Sequence, residues 1–420
     1  MSDRPLRILL ISTQFPFPPR SGFTTRVYQL ALQLASRHEV TLLSYLDPDG
    51  AADLERVREA MRVQTVEYRW RTGSGKRLAQ LASLASRRPF ICRLMYTSKM
   101  QAAIDALAAG GGVDVVQVES SPLCTFRLPA NTSVILDEHN VEYEVFARMH
   151  ETERSLARRS FNRLEHSRFR SFEQRWWRRV DGCLVTSERE ERIVLAQAPR
   201  TPVAVVPNGV DLEYFAPTDS EPEPNTVVFN GVLDYRPNTD AAEYLVDVVW
   251  PLVLARCPHA RLTVVGRGDP ATLRALARPG VTLTGEVADV RPFLRDAAVV
   301  VVPIRMGGGT RLKVVEGLAM EKAMVSTSLG CEGVNVRDGE HLLIADEPPA
   351  FADAVVTLFE NRPRARRLGS AGGERMARDY SWALAGERQE ELYRRVLRNT
   401  DGRGERARIT DVAMRTAADA

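Results

Sequence analysis

Short apolar runs alternate with longer amphipathic stretches along most of the chain. The run RILLIST (7–13) indicates a buried strand, and the following stretch FTTRVYQLALQLASRH has apolar residues at helical spacing. A second apolar run, EVTLLSYL (39–46), completes a strand–helix–strand unit. Units of this kind form parallel sheets with right-handed crossovers.

The alternation falls into two series separated by a segment without periodicity. Further strands of the first series are predicted at 113–119, 132–140, 181–187 and 202–208. Strands of the second series are predicted at 226–233, 261–266, 281–287, 297–304 and 323–328. The segment between them, FAPTDSEPEPN (215–225), is rich in proline and acidic residues, which predicts a linker. We therefore expect an α/β protein of two Rossmann-like domains, with ligands beyond the carboxyl ends of the strands.

The length of the chain agrees with two globular domains. Its 420 residues exceed one ordinary domain, and 44% of them are hydrophobic. We place the expected domains at 1–220 and 221–380. A final helix is expected at 381–399, and a polar, disordered tail is expected at 400–420.

The charge, the cysteines and the hydropathy pattern limit the partners and the cellular compartment that we expect for this protein. The net charge of +3 gives no indication of a nucleic-acid partner. The five cysteines are odd in number and lack metal-site spacing, which favours free thiols in a reducing cytoplasm. The N-terminus reaches a strand too early for a signal peptide. No apolar run approaches the roughly 18 residues of a membrane span.

The segment MGGGTRLKVVEG (306–317) follows a predicted strand and begins a predicted helix. Its glycines, among them Gly308 and Gly309, allow backbone N–H groups to approach a ligand closely. Thr310 is the expected N-cap of the helix. Because a helix N-terminus carries unpaired donors and a partial positive charge, this loop is suited to phosphate.

The side chains of this helix fit a nucleoside diphosphate. Arg311 and Lys313 lie in the first turn, where a cation opposes the helix dipole unless an anion binds there. Glu316 lies about one turn beyond Lys313, and its carboxylate can accept hydrogen bonds from two ribose hydroxyls. The alternative is a plain glycine turn with a Lys313–Glu316 ion pair, worth about 0.2–0.5 kcal/mol.

The loop FNGVLDYRPNTDA at the start of the second series is a candidate for the same ligand. Gly231 follows a predicted strand and permits close approach of the backbone to a ligand. Arg236 can add a cation over phosphate, and Asn238 or Asp240 is the expected cap of the next helix. Simple turn chemistry is the alternative for this loop.

Three other loops that follow predicted strands contain candidate contacts. In GEVADVRPFL, the backbone at Gly285 and the side chain of Val287 can contact a flat base. In PPRSGFTTR, Gly22 begins a helix of the first domain. In DEHNVEYE, His139 can bond a sugar hydroxyl or a phosphate, or can serve as a capping or structural histidine. No second histidine lies at metal-ligand spacing, so no metal site is predicted there.

The segment 154–180 is rich in arginine, with aromatic residues interleaved. A basic amphipathic helix can lie on an anionic membrane, so this segment is a candidate for peripheral membrane contact. The alternative is one or two ordinary helices with a core stripe and a solvated face. Glutamates within and just before the segment dilute its charge and favour that alternative.

Seven segments are specific as a set in their order and spacing: PPRSG, DEHNVE, VVPNGVDLEYFAP, FNGVLDYRPNTDAA, VVGRG, VTLTGEVADV and GGGTRLKVVEGLAMEKAMVSTSLGCEGV. On these segments the chain resembles the retaining GT-B glycosyltransferases of glycosyltransferase family 4, also called group 1. The resemblance covers most of the chain and is strongest to the branch linked to polysaccharide and exopolysaccharide gene sets.

The resemblance implies a GT-B fold, in which two Rossmann-like domains face each other across a cleft and a C-terminal helix crosses back to the first. It implies sugar transfer, with retention, from a nucleotide-diphosphate sugar to a hydroxyl acceptor. The acceptor would be a glycan, a lipid-linked glycan or a small natural product. Neither a metal nor a cofactor would be needed, and the enzyme would be cytoplasmic or peripheral on the inner face of the membrane.

The resemblance also assigns roles to residues. Glu316 matches the second glutamate of the family's Glu-x7-Glu motif, which holds the ribose, whereas the first position is Gly308 here. Gly22 matches the glycine of the acceptor-side loop. The catalytic candidates are His139, Lys313 and Arg236. The donor-binding candidates are Gly22, Gly231, Arg236, Gly285, Val287, Gly308, Gly309, Thr310, Arg311, Lys313 and Glu316.

Three other functions remain open at this point. A GT-B nucleotide-sugar epimerase would bind the same donor without an acceptor. A GT-B-fold binding or scaffold protein would bind ligands without catalysis, and Gly308 in place of the first motif glutamate favours this alternative. An NAD oxidoreductase is disfavoured because no GxGxxG fingerprint is present.

Overall fold

The chain forms two compact units, each built on one parallel sheet. The computed structural model describes residues 4–19, 21–48, 54–70, 73–153, 155–307 and 311–401. The first unit contains the residues up to Val206 and those from Ala385 onward, and the second unit is Pro207–Leu384.

The first unit contains a seven-stranded sheet with the order β3-β2-β1-β4-β5-β6-β7. All its strand pairs are parallel. Its inner strands are apolar and buried on both faces, as expected for a sheet covered by helices. The strands are β1 Arg7–Ser12, β2 Glu39–Leu46, β3 Arg62–Glu67, β4 Val115–Glu119, β5 Ser133–Glu138, β6 Gly182–Val185 and β7 Val203–Val205.

The helices of the first unit cover this sheet and complete its core. A short 3-10 helix, Ser121–Thr125, follows β4. The α-helices are α1 Gly22–Ala35, α2 Leu54–Arg58, α3 Gly73–Ser83, α4 Phe90–Met95, α5 Ser98–Ala109, α6 Glu142–Thr152, α7 Leu156–Trp177 and α8 Glu188–Gln197.

The second unit contains a six-stranded sheet with the order β10-β9-β8-β11-β12-β13. Its strands are β8 Glu223–Asn230, β9 Arg261–Val265, β10 Val281–Leu283, β11 Ala297–Val302, β12 Met324–Ser326 and β13 Leu343–Ile344. A π-helical segment, Leu245–Val249, links the first two helices of this unit. The helices that follow in chain order are α9 Arg236–Tyr244, α10 Trp250–Arg256, α11 Pro270–Leu276, α12 Arg291–Asp296, α13 Leu312–Ala319, α14 Pro348–Glu360, α15 Arg362–Asp379 and α16 Trp382–Asp401.

The last helix, α16, returns to the first unit. Leu392, Tyr393 and Val396 are buried there. A Cβ added at Gly182 in β6 would approach Val396 Cγ2 to 2.9 Å, so this glycine allows the helix to lie close to the sheet. The structure therefore attaches the end of the chain to the sheet formed by its beginning.

Each sheet has a point where the strand order reverses direction. In the first unit this point lies between β1 and β4, and in the second unit it lies between β8 and β11. Loops at such points leave a crevice beyond the carboxyl ends of the strands, where open α/β sheets bind ligands. The candidate residues are therefore best described from these two positions.

The expected α/β fold of two Rossmann-like domains is confirmed, and the pattern missed two strands. β3 is an edge strand of mixed polarity, and β13 has only two residues. The structure divides the chain at Val206 rather than at residue 220. The reason is that the residues after Val206 pair with the second unit, where Val210 N donates to Tyr380 O at 2.7 Å.

The aromatic stripe of segment 154–180 is part of the core and not a membrane face. Phe169 and Trp177 are fully buried, and Trp176 is almost so. The polar side of α7 also contacts the rest of the unit, since Arg168 forms hydrogen bonds with both Glu165 and the carbonyl of Leu84. The alternative that the sequence favoured, a helix with a core stripe, is therefore confirmed for these aromatic residues, whereas peripheral membrane contact of the segment stays a prediction.

Some sequence predictions concern residues outside the described part. Among these residues are the polar tail from 402 onward and Arg154, the first residue of segment 154–180. Among the described residues, no helix combines the length and apolar character needed to cross a bilayer.

Candidate functional site

The loops after β8 and β9 approach each other so closely that a glycine is required at position 266. Gly231 N donates to Val265 O at 2.9 Å. A Cβ added at Gly266, whose φ is +150°, would lie 1.9 Å from Gly231 O. A side chain at Gly266 would therefore force the two loops apart. The loops form a narrow backbone surface at the end of the second sheet.

Lys313 lies directly against this surface. Its Nζ donates to Asn238 Oδ1 at 3.0 Å and lies 4.5 Å from the centre of the Phe229 ring. A Cβ added at Gly231 would approach Lys313 Nζ to 2.8 Å. Asn238 is itself fixed, because its Nδ2 donates to Val232 O at 2.9 Å. The ammonium group is thus held in one position by the β8 loop.

The alternative of a Lys313–Glu316 ion pair is not observed. Within the described ranges, no contact of 4.0 Å or less joins the two charged groups, and Lys313 bonds Asn238 instead. Burial lowers the pKa of Lys313 to about 7, with a further lowering from nearby Arg311. Burial raises the pKa of Glu316 to about 7, although the charge of Lys313 opposes this rise. Both groups therefore titrate near neutral pH, as groups at functional sites often do.

The glycine loop before α13 is described only in part. Gly308, Gly309 and Thr310 lie outside the described residues, so their predicted contacts with a donor stay predictions. The helix begins at Leu312, and Arg311 rather than Thr310 occupies the cap position. The earlier placement of Arg311 in the first turn was therefore wrong by one position.

Arg311 folds back over its own loop. Its Nη2 donates to Met306 O at 3.4 Å. A Cβ added at Gly307, whose φ is +97°, would lie 3.2 Å from both Arg311 Nη2 and the ring of Pro237. The loop after β11 is thus packed against the start of α9, and this contact brings Arg311 toward the Lys313 region.

Arg236 is the first residue of α9 and is exposed at that helix start. The expected caps at Asn238 and Asp240 were wrong. Asn238 bonds Lys313 and Val232 O, while Asp240 pairs with Arg305 at 2.8 Å. These two side chains are drawn away from the helix end by stronger tertiary partners, and Tyr235 occupies the cap position without a side-chain bond.

Gly285 and Val287 belong to the same end of the second sheet. Gly285 has φ +69°, and its carbonyl accepts a hydrogen bond from Gly266 N at 3.1 Å. Val287 is half-buried against the core of the unit. The structure therefore brings the β8, β9 and β10 loops together beside Lys313, as the positions of the candidates predicted.

In the first unit, α1 brings a buried arginine to the end of β5. Arg26 is fully buried and binds Asp137 through two bonds, Nε to Oδ2 at 2.9 Å and Nη2 to Oδ1 at 2.8 Å. Its Nη1 also donates to Val206 O at 2.7 Å. A bidentate pair of this kind orients both partners. Sequence reasoning missed Arg26, because its spacing within α1 resembles any helix position.

His139 lies beside this pair and is bonded to the end of β4. Its Nε2 is 2.9 Å from Glu119 Oε2 and 3.7 Å from Asp137 Oδ2. Burial raises the pKa of Glu119, while its bond to His139 opposes this rise. The ring of Phe23 stacks on the imidazole with centroids 4.6 Å apart. The imidazole ring is therefore contacted by Phe23 on one face and by Glu119 at Nε2.

The hydrogen bonds continue from Glu119 to α16. Gln117 Nε2 donates to Glu119 Oε1 at 2.7 Å. Gln117 Oε1 accepts from Gln389 Nε2 at 3.0 Å and from the Tyr393 hydroxyl. This buried chain connects the C-terminal helix to His139. Sequence reasoning missed Glu119, and the signal that could have found it is an acidic residue at the end of an apolar strand.

Glu119, Asp137 and His139 also form the group of metal-ligand type found among the described residues, with their ligand atoms within 4.8 Å of one another. Arg26 already occupies both oxygens of Asp137, and its positive charge opposes a cation there. The donor set thus fits a hydrogen-bond network better than a metal site. The expectation of no metal stays a prediction.

Gly22 is the first residue of α1, directly before Phe23. Ser21 caps this helix through a bond from Thr24 N, and the Thr24 hydroxyl accepts from Ser21 N in return. This capping box fixes the start of the helix. Gly22 and the stacked Phe23–His139 pair therefore lie at the same end of the first sheet, as expected from the strand order.

Comparison with known proteins identifies both units. Residues 20–214 match the family described as Glycosyltransferase Family 4, and residues 224–361 match the family described as Glycosyl transferases group 1. The two matches follow each other in chain order and together cover most of the chain. The first unit is therefore similar to the former family and the second unit to the latter. Both matches agree with the resemblance that the sequence segments indicated.

Individual relatives cover the chain to different extents. A phosphatidyl-myo-inositol mannosyltransferase of Mycobacterium tuberculosis is 32% identical over 206 residues, which are 46% of this chain and 53% of the relative. The chain therefore matches about half the length of that relative.

Two solved structures show the same fold as the whole chain. The sucrose-phosphate synthase of Thermosynechococcus elongatus superposes with a TM-score of 0.70 at 18% identity, over 94% of this chain and all of that one. Anabaena HepE in complex with UDP-glucose gives 0.61 at 14% identity, over 95% of this chain and all of that one. Together with the two parallel sheets, these neighbours establish the GT-B fold class of the chain.

Proposed function

We propose that this protein is a group 1 glycosyltransferase that moves a sugar from a nucleoside-diphosphate sugar to a hydroxyl acceptor, with retention at the anomeric carbon. The observation that carries the proposal is Lys313, a half-buried lysine whose ammonium is fixed against the glycine loop of β8. A cation held beside an open backbone surface suits a diphosphate. Glu316, one turn further along α13, would accept the ribose hydroxyls.

The second unit would bind the donor through backbone and cations together. The close loops at Gly231 and Gly266 offer amides without side chains in the way. Arg236 would add a second cation at the start of α9. Asn230 Oδ1, at the end of β8, is buried without a hydrogen-bond partner among the described residues and would accept a bond from the ligand.

The proposed reaction replaces the diphosphate at the anomeric carbon through an oxocarbenium-like transition state. A nucleoside diphosphate is a good leaving group, so positioning and charge stabilisation supply most of the rate. Lys313 and Arg236 would stabilise the charge on the leaving oxygens. A leaving phosphate oxygen would take the proton of the acceptor hydroxyl from the same face, which gives retention without a catalytic carboxylate pair.

In the first unit, His139 would bond a substrate hydroxyl. Glu119 fixes Nε2 of the imidazole, so Nδ1 is the ring atom that remains for a substrate contact. Phe23 on one face limits rotation of the ring. These contacts support a binding role for His139 and a supporting role for Glu119.

The names of the similar proteins suggest two donors to test first. HepE was solved with UDP-glucose, and the mycobacterial relative is named a mannosyltransferase. The acceptor is proposed only as a hydroxyl compound of the glycan, lipid-linked glycan or small natural product class. The resemblance to the exopolysaccharide branch makes a growing glycan the first acceptor to try.

The test is thermal stabilisation of the full chain by UDP, GDP, ADP, dTDP and NAD, in wild type and Glu316→Ala. A ligand present at 100 times its Kd adds about 2.7 kcal/mol to the free energy of unfolding. We expect one diphosphate to stabilise the wild type selectively and to lose most of this effect in the variant. The preferred base then defines the sugar nucleotides to use in a transfer assay.

Other outcomes would change the assignment. If no diphosphate stabilises the protein, the chain is better described as a binding or scaffold protein of this fold. A response to NAD alone would contradict the proposal. Stabilisation by a diphosphate without transfer to any acceptor, but with interconversion of the donor sugar, would identify an epimerase.

A further inference from the structure

Helix α3, Gly73–Ser83, presents its two leucines to solvent. Leu78 is 69% exposed and Leu81 is 64% exposed, and Ala82 on the same face is also exposed. On the opposite face Ser83 is fully buried and donates to Gln80 O at 2.6 Å. A surface helix of a soluble protein normally has the reverse arrangement.

The apolar surface continues beyond the end of the helix. Leu84 is 51% exposed, while its carbonyl accepts from Arg168 Nη2 at 3.0 Å. The chain is thus fixed here with the leucine side chain turned outward. Single exposed leucines are common on protein surfaces, but three within seven residues form a patch that indicates an interaction site.

The charge around this patch has one sign. Between Glu67 and Asp105 the sequence contains eight lysines and arginines and no aspartate or glutamate. Arg87, Arg88 and Arg93 are exposed just after the leucines. The chain as a whole has a net charge of only +3, so this concentration is local. An exposed apolar face beside cations complements a surface that is both anionic and apolar.

We propose that the surface of residues 73–93 binds the face of an anionic lipid bilayer. The leucines of α3 would enter the boundary between headgroups and acyl chains, and the arginines that follow would lie at the level of the lipid phosphates. A soluble polyanion would use the arginines but not the leucines. A protein partner with an apolar groove would use the leucines but would not require anionic lipid.

This surface differs from segment 154–180, where the sequence pattern suggested membrane contact. There the aromatic residues are core, whereas in α3 the apolar residues are outside. The inference also stands apart from the proposed sugar transfer, because lipid binding can be measured without donor or acceptor. The two proposals can therefore fail separately.

The test is co-sedimentation of the full chain with phosphatidylcholine vesicles, with and without an equal part of phosphatidylglycerol. We expect binding only to the anionic vesicles, and weaker binding at high salt. The pair Arg87→Gln and Arg88→Gln should weaken binding about fivefold per arginine. The pair Leu78→Ser and Leu81→Ser should weaken binding at least tenfold at low salt.

Two matched pairs of substitutions serve as controls. Val248→Ser with Leu252→Ser removes two exposed apolar residues from the second unit, and Arg158→Gln with Arg159→Gln removes two arginines from α7. Both control variants should bind like the wild type. Thermal unfolding curves would confirm that all variants are folded.

Several results would overturn the proposal. They are absence of binding to anionic vesicles, equal binding to neutral vesicles, and unchanged binding of the Leu78/Leu81 variant. Loss of binding only in the α7 arginine variant would assign the surface to segment 154–180 instead. Binding to heparin that survives the leucine substitutions, without vesicle binding, would identify a site for soluble polyanions.

Discussion

Burial decides the chemistry of the two charged residues on α13. Lys313 and Glu316 are near each other in sequence, yet each is surrounded mainly by protein, and the pKa of each moves to about 7. The lysine is held by Asn238 rather than by the carboxylate. The ammonium is therefore not paired with that carboxylate among the described residues.

The shifted pKa of Lys313 predicts how diphosphate affinity depends on pH. Below pH 7 the free protein has a charged Lys313, and above pH 7 it must take up a proton when a diphosphate binds. We therefore expect the affinity for the preferred diphosphate to fall by up to tenfold per pH unit above about 7. Calorimetry in two buffers of different ionisation enthalpy would measure the proton uptake. Lys313→Met should abolish this uptake, and an unchanged uptake would contradict the assignment.

Loss of Lys313 should also slow the transfer step. By analogy with removal of one oxyanion donor, Lys313→Ala should cost about 2.7–4 kcal/mol in transition-state stabilisation, a loss of 10²–10³ in turnover. The measurement is kcat with the donor and acceptor identified by screening. Lys99→Ala, which removes an exposed lysine of the first unit, is the matched control. Wild-type turnover in Lys313→Ala would refute the catalytic role.

Substitution of Gly231 tests whether diphosphate binding depends on the position of the Lys313 ammonium or only on its charge. Its Cβ would lie 2.8 Å from Lys313 Nζ and 2.9 Å from Asn238 Cγ, so Gly231→Ala should displace the ammonium while leaving it charged. We expect at least a tenfold weaker affinity for the diphosphate, measured by calorimetry. Gly75→Ala, where no atom lies within 4 Å of the added Cβ, should bind normally. Equal affinities of the two variants would show that the site tolerates the displacement.

At the scale of elements, buried carboxylates join the helices of the first unit. Helix α6 has no side-chain cap of its own. Glu173 of α7 supplies the cap instead, since its oxygens accept from Glu142 N at 2.9 Å and Tyr143 N at 3.0 Å. Burial and the nearby Glu142 raise the pKa of Glu173 to about 8. A cap provided by another helix couples the positions of the two helices.

The raised pKa of Glu142 predicts that the free energy of unfolding falls as pH rises. Burial raises its pKa to about 7 from an ordinary value of 4.5, so the folded state holds a proton that the unfolded state releases. Stability from this group is present below about pH 4.5 and is lost as pH rises toward 7. Glu142→Gln should thus gain in Tm relative to the wild type between pH 5 and pH 8. A difference in Tm that stays constant over this range would contradict the raised pKa.

At the scale of the whole molecule, the end of the chain completes the unit that its beginning starts. Gln389 and Tyr393 of α16 bond Gln117 inside the first sheet, and Leu392 and Val396 pack against it. The first unit is therefore incomplete until the second has been synthesised.

Removal of α16 should unfold the first unit and leave the second intact. A chain ending at Leu384 loses three buried apolar side chains, each worth about 1.5–3 kcal/mol, which approaches the total stability of an ordinary domain. A chain ending at Asp401 keeps all these contacts and is the matched control. Hydrogen exchange should show loss of protection in β4 and β6 only in the shorter chain, with diphosphate binding retained. Protected amides there would show that the sheet is stable without the helix.

The sequence by itself determined the two series of strands and helices, because a buried parallel sheet requires apolar runs at regular intervals. It also located most candidate residues, because the loops after strands are short and their residues must lie at one end of the sheet. Tertiary structure decided what those residues contact. Asn238 was predicted as a cap and is the partner of Lys313, since an ammonium held against protein needs an acceptor more than an exposed helix end does.

The faces of the helices were also decided only by the tertiary structure. Periodicity shows that a helix has an apolar side, but not whether that side meets the protein or the solvent. In α7 the aromatic side is buried, whereas in α3 the leucines are exposed. The reason is that burial depends on neighbours far away in the sequence, and the same neighbours set the pKa of Lys313 and join Glu119 to His139.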